Sequence, residues 1–192
     1  MLASGSGTNL QTLIDDPEVK GHIACVVSDK PSAPALQRAH QGGIPAEVVR
    51  WDEHGSRELF SIALADAVEK HGGKGVILAG FMRILSKPFI DRFPGRVINI
   101  HPSLLPAFPG RRAVEDALSH GVKVSGVTVH FVDEQVDHGP IIAQRAVPVR
   151  DEDTVETLHA RVQQEEHQLY PAVVRAFIAE RVGLVDGKVV WD

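Results

Sequence analysis

Midway along the chain, polar side chains stand at a spacing suited to acyl-transfer chemistry. In Val97-Ile98-Asn99-Ile100-His101-Pro102 apolar residues alternate with an amide and an imidazole. Alternate residues of a strand share a face, so Asn99 and His101 point the same way while Ile98 and Ile100 point oppositely. The strand must stop at the proline-rich run 102–110, which puts both groups at a carboxyl end of a sheet, where open α/β folds bind ligands. An amide N–H stabilises a developing oxyanion, and an imidazole moves protons near neutral pH. The alternative is a histidine satisfied by loop carbonyls beside an asparagine that caps a turn. Downstream, Asp133-Glu134-Gln135-Val136-Asp137-His138-Gly139-Pro140 forms an acidic turn. A carboxylate there would orient His101 and favour its protonated ring; a solvated loop is the alternative. A metal site built from His101, His130 and Asp137 lacks compact ligand spacing.

Two further features carry chemistry. Ser4-Gly5-Ser6-Gly7-Thr8-Asn9-Leu10-Gln11 lies between a stub of strand and a helix starting near Asn9. Glycines let backbone amides approach an anion, and a helix N-terminus offers N–H groups and a positive dipole end. The run lacks the third glycine of a dinucleotide fingerprint and the Gly-Lys-Ser/Thr of a P-loop. It reads equally as a phosphate cradle or as a tight turn capped by Thr8. Near the C-terminus, Val155, Leu158, Val162, Glu166, Leu169, Val173 and Phe177 recur at helical spacing, which sets Glu166 on an apolar stripe. A carboxylate there pairs with an arginine or faces a pocket that takes an amine or cation.

The elements that must hold these groups alternate short β-branched runs with helices, the pattern of a parallel sheet wrapped by helices. Strands are expected at 22–28, 46–49, 76–79, 96–100, 125–132 and 141–149. Helices are expected at 33–41, 56–71 (Ser56 as N-cap; Phe60, Leu64, Ala67 and Val68 inward), 113–120 and 153–181, the last interrupted at Pro171. Leu184-Val185, Asp186-Gly187 and Val189–Trp191 suit a hairpin with a type I′ turn. The expected fold is a single doubly wound, mostly parallel α/β domain over residues 1–192 with a short C-terminal hairpin.

Composition agrees. The 192 residues are 43% hydrophobic and 23% charged, with net charge −5 and one cysteine, Cys25. These values suit a single soluble domain and disfavour disorder and a disulfide scaffold. Scattered Lys and Arg argue against nucleic-acid binding, and no apolar run approaches the roughly 20 residues of a membrane span. A reduced, cytoplasmic protein is expected.

Taken together, the chain resembles the phosphoribosylglycinamide formyltransferases of purine synthesis. The resemblance rests on SGSGTNLQ (4–11), AGFMRIL (79–85), NIHPSLLP (99–106), TVHFVDEQVDHGP (128–140) and EEHQLYP (165–171), in the family's order over nearly the whole chain. It implies direct formyl transfer from 10-formyltetrahydrofolate, as co-substrate and without a metal, to the amine of glycinamide ribonucleotide. Asn99, His101 and Asp137 would be the catalytic trio. Gly7, Thr8 and Asn9 would hold the ribonucleotide phosphate, with Gln163 and Glu166 by its ribose and glycinamide end. The folate would lie against Met82, Arg83, Ile84 and Leu85, Asn99, and the loop Asp133, Glu134, Gln135, Val136 and Asp137, with Arg57 at its tail carboxylates. The partners implied are small molecules, with neither nucleic acid nor membrane, for a monomer or homodimer. The Leu105–Pro106 bond resembles one that is cis in the family.

The sequence departs from the family in two places. Arg111-Arg112 stands where the family usually has a histidine after Pro109-Gly110, which puts that histidine's contact in doubt. A full first strand usually precedes the glycine loop, whereas Met1-Leu2-Ala3 alone precede Ser4 here; a stub would leave neighbouring strands unpaired, so residues upstream are expected, the alternative being a fold that tolerates a short strand. Among related enzymes, a methionyl-tRNA formyltransferase would need a further C-terminal domain and a basic surface. A formyltetrahydrofolate deformylase would carry an N-terminal regulatory domain. A noncatalytic phosphosugar-binding module would use the glycine loop and leave Asn99, His101 and Asp137 without a role.

Overall fold

A computed structural model describes residues Met1–Asp192. The fold is α/β with a parallel-rich sheet, and the chain divides into two compact units, Met1–Ile98 and Asn99–Asp192.

The first unit contains helices α1 (Thr8–Asp15) and α2 (Pro17–Lys20), strand β1 (Val26–Ser28), α3 (Pro34–Gln41), β2 (Ala46–Val48), a 3-10 turn (Trp51–Glu53), α4 (Arg57–Lys70), β3 (Val76–Leu78) and α5 (Lys87–Arg92). β1 pairs in parallel with β2. On its other side lie Met1–Ala3, and beyond them β3, with Leu2 bridged in parallel to Val27 and Leu78. The bonds alternate sides: Leu2 N–H donates to Ile77 and Ala3 N–H to Val27, while Val27 N–H donates to Met1 and Ala79 N–H to Leu2. The expected loss of pairing around a short first strand therefore does not occur, because each residue of the segment bonds a neighbour. β3 is followed on its far side by the start of β4 (Val97–His101), with Val76 N–H on the Arg96 carbonyl. The chain thus starts in the middle, builds outward through β1 and β2, then returns to the other side, which is double winding.

The second unit continues from β4 through α6 (Ala113–His120), β5 (Val124–Phe131), β6 (Ile141–Pro148), α7 (Val155–Ile178), β7 (Val182–Val185) and β8 (Lys188–Trp191). β5 and β6 are antiparallel with an irregularity at Val129/His130. Asp186 and Gly187 both have positive φ (49° and 74°) between Val185 and Lys188, the type I′ turn expected from Asp-Gly.

Sequence patterning located most elements and missed some boundaries. The strand expected from His22 begins at Val26, because His22 and Ile23 N–H groups close the turn after α2 on Val19 and Lys20. α2, α5 and the 3-10 turn were not expected; each is too short for a periodic pattern. Ser56 caps α4 through Leu59 N–H, and the predicted stripe is buried. Pro171 does not interrupt α7, which runs continuously through it. Burial on both sides of the proline (Val162, Glu166 and Leu169 before it, Val173 and Val174 after) holds the helix across the missing hydrogen bond. Thr8 does not cap α1; Gly7 is the N-cap, with a left-handed φ of 72° and no side chain to bond the first turn.

Leu2 is fully buried between β1 and β3. Truncating a buried leucine costs about 2–5 kcal/mol. Leu2→Ala is expected to lower the urea midpoint accordingly, and a wild-type midpoint would show that this segment is not a core strand.

Candidate active site

β4 delivers Asn99 and His101 to one face, as alternation requires, and both lie in the second unit with Asp137. His101 is buried; its Nδ1 stands 3.3 Å from Asp137 Oδ2, and its Nε2 lies 2.9 Å from the Phe108 carbonyl. A carbonyl only accepts, so Nε2 carries a proton there. Nδ1 is the ring nitrogen that faces the carboxylate. Asp137 is fixed from the other side by Gly110 N–H, which donates to Oδ2 at 2.7 Å, and its own φ of 50° is unusual for a non-glycine residue.

His130 completes this arrangement. Its Nδ1 lies 2.8 Å from the Phe131 carbonyl, and its Nε2 is 3.2 Å from Asn99 Nδ2. Nδ1 is therefore the donor and Nε2 accepts from the Asn99 amide, which requires a neutral ring. Burial pushes the His130 pKa down, against smaller opposing effects from its bond to Phe131 and from Asp137, whose Oδ1 is 3.8 Å away. Sequence reading had noted His130 only as a conceivable metal ligand. In the structure it meets the Asn99 amide, a contact across 31 residues that no local pattern displays. No group of three or more His, Cys, Asp or Glu side chains is arranged to hold a metal ion.

The loop that follows β4 is tied down by side chains. Thr128 Oγ1 donates to the Ser103 carbonyl and accepts from Leu105 N–H, Gln144 bonds Thr128 and the Leu105 carbonyl, and Ser103 Oγ donates to Ala107. The Leu105–Pro106 peptide is cis, as the resemblance implies. In the acidic turn, Asp133 Oδ1 accepts from Gln135 N–H and Oδ2 meets His138 at 2.7 Å, leaving Glu134, Gln135 and Val136 exposed. Gly139 is required there, because a Cβ would fall 2.0 Å from the Phe131 carbonyl oxygen.

In the first unit, the glycine loop leaves the carboxyl end of the Met1–Ala3 segment, and residues 80–85 leave the carboxyl end of β3 beside it. This is the switch point of the double winding, the place where such sheets bind ligands. A Cβ on Gly7 would lie 2.9 Å from Ala35 Cβ, whereas Gly5 has open space. The close approach therefore selects Gly7. Arg38 of α3 clamps the loop, Nε donating to the Ser6 carbonyl and Nη1 to Gln11 Oε1. Sequence reading missed it because the signal is tertiary. Met82 N–H donates to Ser4 Oγ, which ties the 80–85 strip to the glycine loop. Met82 and Ile84 are exposed, Leu85 is buried, and Arg83 bonds Asp29. Leu85 can therefore offer a ligand little beyond its backbone. Arg57 opens α4, exposed and 3.8 Å from Glu58.

Glu166 is buried on α7, one turn from Gln163. Burial and the charge of Glu166 both push the Tyr170 hydroxyl well above its usual pKa.

The chain belongs to the formyl transferase family, whose model matches residues 1–174. Within that family it is similar to phosphoribosylglycinamide formyltransferase of Mycobacterium tuberculosis, at 43% identity over 96% of this chain and 86% of that one. The crystal structure of glycinamide ribonucleotide transformylase 1 from Symbiobacterium toebii superposes with a TM-score of 0.94 and 47% identity, covering 99% of this chain and 91% of that one. The trifunctional purine biosynthetic protein adenosine-3 of Bos taurus is 45% identical over 100% of this chain. The chain spans only 19% of that protein's length.

His130 and His167 are both shifted down by burial. Each binds a proton more readily unfolded than folded, so the stability tied to their neutral rings is present above about pH 6.5 and is lost as pH falls below it. Thermal midpoints measured from pH 7.5 to 5 are expected to fall, with a shallower fall in His130→Asn. An unchanged slope in that variant would remove His130 from the account.

Proposed function

We propose that this chain transfers the formyl group of 10-formyltetrahydrofolate to the amine of glycinamide ribonucleotide, as a single catalytic domain over residues 1–192. The observation that carries the reading is the cluster of Asn99, His101 and Asp137 at the end of β4 in a chain of this family. The amine nitrogen attacks the formyl carbon, a C–N bond forms, and the carbonyl electron pair moves onto oxygen. One N–H of the Asn99 amide is occupied by His130, and the other is the donor for that oxyanion. His101 Nε2–H is the second donor. The developing oxyanion competes with the Phe108 carbonyl for this proton, and it is favoured because it brings a full negative charge to the imidazolium where the carbonyl brings only a dipole. Asp137, fixed by Gly110, keeps His101 doubly protonated and relays, through water, the proton that the attacking nitrogen loses to the folate nitrogen that departs. Collapse of the intermediate then breaks the bond to the folate nitrogen, which leaves protonated.

In the first unit, the amides of Gly7, Thr8 and Asn9 take the ribonucleotide phosphate at the positive end of α1. The Met82–Leu85 strip takes the folate ring and Arg57 its tail carboxylates. In the second unit, Gln163 and Glu166 serve the ribose and glycinamide amine, and residues 133–137 the folate. A carboxylate on the buried stripe of α7 suits an amine ligand. The partners are small molecules, the setting is cytoplasmic, and the assembly is a monomer or homodimer. No helix is long and apolar enough to cross a membrane.

Folate release from the formyl-folate should depend on added ribonucleotide. Release without it would mean hydrolysis, and none would mean a binding module. Asp137→Asn is expected to lower kcat by about a hundredfold or more, the scale of general acid–base catalysis. KM values should stay within about threefold, and a variant with wild-type kcat would refute the role of Asp137.

A further inference from the structure

Asp29 directly follows β1, and its side chain is completely buried. A buried carboxylate is costly unless paired. Oδ2 accepts from Arg83 Nε at 2.8 Å, and Oδ1 has no hydrogen-bond partner. The carboxylate therefore depends on a single arginine 54 residues away in sequence. The Arg83 guanidinium also lies over the Trp51 ring, 4.8 Å from its centroid, a cation–π geometry. Trp51 in turn packs edge-on against Phe60 of α4, with centroids 5.0 Å apart. One arginine thus joins the end of β1, the turn before α4 and the strip after β3.

That strip has no regular secondary structure of its own. Its start is pinned by Met82 N–H on Ser4 Oγ, and the next residue is Arg83. Met82 and Ile84, on either side, present exposed apolar side chains that nothing in a helix or sheet ladder fixes. We propose that Asp29, Arg83 and Trp51 form a latch that sets the Met82–Leu85 strip for the folate ring, with Asp29 and Trp51 as positioning residues. Within it Arg83 Nε is committed to Asp29 and the guanidinium plane to the Trp51 ring. The inference rests on the reading of this strip as the folate surface.

The test is steady-state kinetics on enzyme with ribonucleotide-dependent formyl transfer, using Asp29→Asn, Trp51→Leu, their double variant and Ile84→Ser. Each latch variant is expected to raise KM for the formyl-folate about tenfold, equivalent to about 1.4 kcal/mol. kcat and the ribonucleotide KM should stay within about twofold. The double variant should be no worse than the poorer single, because both act through Arg83. A second readout needs no substrate: in a Trp191→Phe background Trp51 is the sole tryptophan, and Asp29→Asn should change its emission as Arg83 leaves the ring. Trp51→Leu acts from the aromatic side of the latch and decides the case if Asp29→Asn fails to fold. An unchanged folate KM in folded latch variants, or fully additive effects, would overturn the latch. If Ile84→Ser raises that KM while the latch variants do not, the latch falls and the folate strip stands. If none of them raises it, both fall.

Discussion

Pairing of Met1–Ala3 on both sides is the constraint from which the first unit follows. Leu2 bonds toward β3, while Met1 and Ala3 bond toward β1, so three residues close the gap between two strands that would otherwise expose their ladders. All three residues are buried, so both faces of the segment pack against the interior while its edges pair with the two strands. Apart from Arg57 on α4, the segments proposed to touch a ligand in this unit, and the Asp29 proposed to position one of them, then leave from neighbouring strand ends. The glycine loop leaves the segment itself, Asp29 leaves β1, and the Met82–Leu85 strip leaves β3.

The second unit achieves precision differently, through proton accounting. Phe108, Asp137 and Phe131 accept, His130 accepts at Nε2 and donates at Nδ1, and Asn99, His101 and Gly110 supply the remaining hydrogens. With His130 neutral, both of its contacts have one donor and one acceptor, as does the contact of His101 Nε2 with the Phe108 carbonyl. Moving a proton onto His130 Nε2 would set donor against donor at Asn99. The low dielectric around these buried rings makes such a mismatch costly, which is why burial, rather than the nearby carboxylate, decides the charge of His130.

Much of this was legible in the residues. The alternation through 97–101 put Asn99 and His101 on one face, Asp-Gly gave the hairpin turn, and Ser56 marked the start of α4. What was not legible depends on groups remote in sequence. Pro171 reads locally as a break, yet packing on both sides of it carries α7 through. Thr8 reads as a cap, yet the approach of Ala35 demands glycine at position 7, which then becomes the cap itself. Arg83 belongs to a motif, but nothing in that motif reveals a buried aspartate and a tryptophan from two other loops.

The proposed substrates are anions, and the chain carries a net charge of −5. The two are compatible because the donors are local. At physiological ionic strength exposed charges are screened beyond about 8 Å, so the average surface contributes little at a strand end. A helix N-terminus places N–H groups directly against an anion, and its dipole acts within the first turn. α1 suits this role because its cap is a glycine, which leaves its first turn without a capping carboxylate or hydroxyl from that position. Arg38 adds positive charge beside the loop while its Nε and Nη1 hold the loop's shape. As a proposed cradle, the loop brings a few fixed donors to one place, which suits a single small phosphate group.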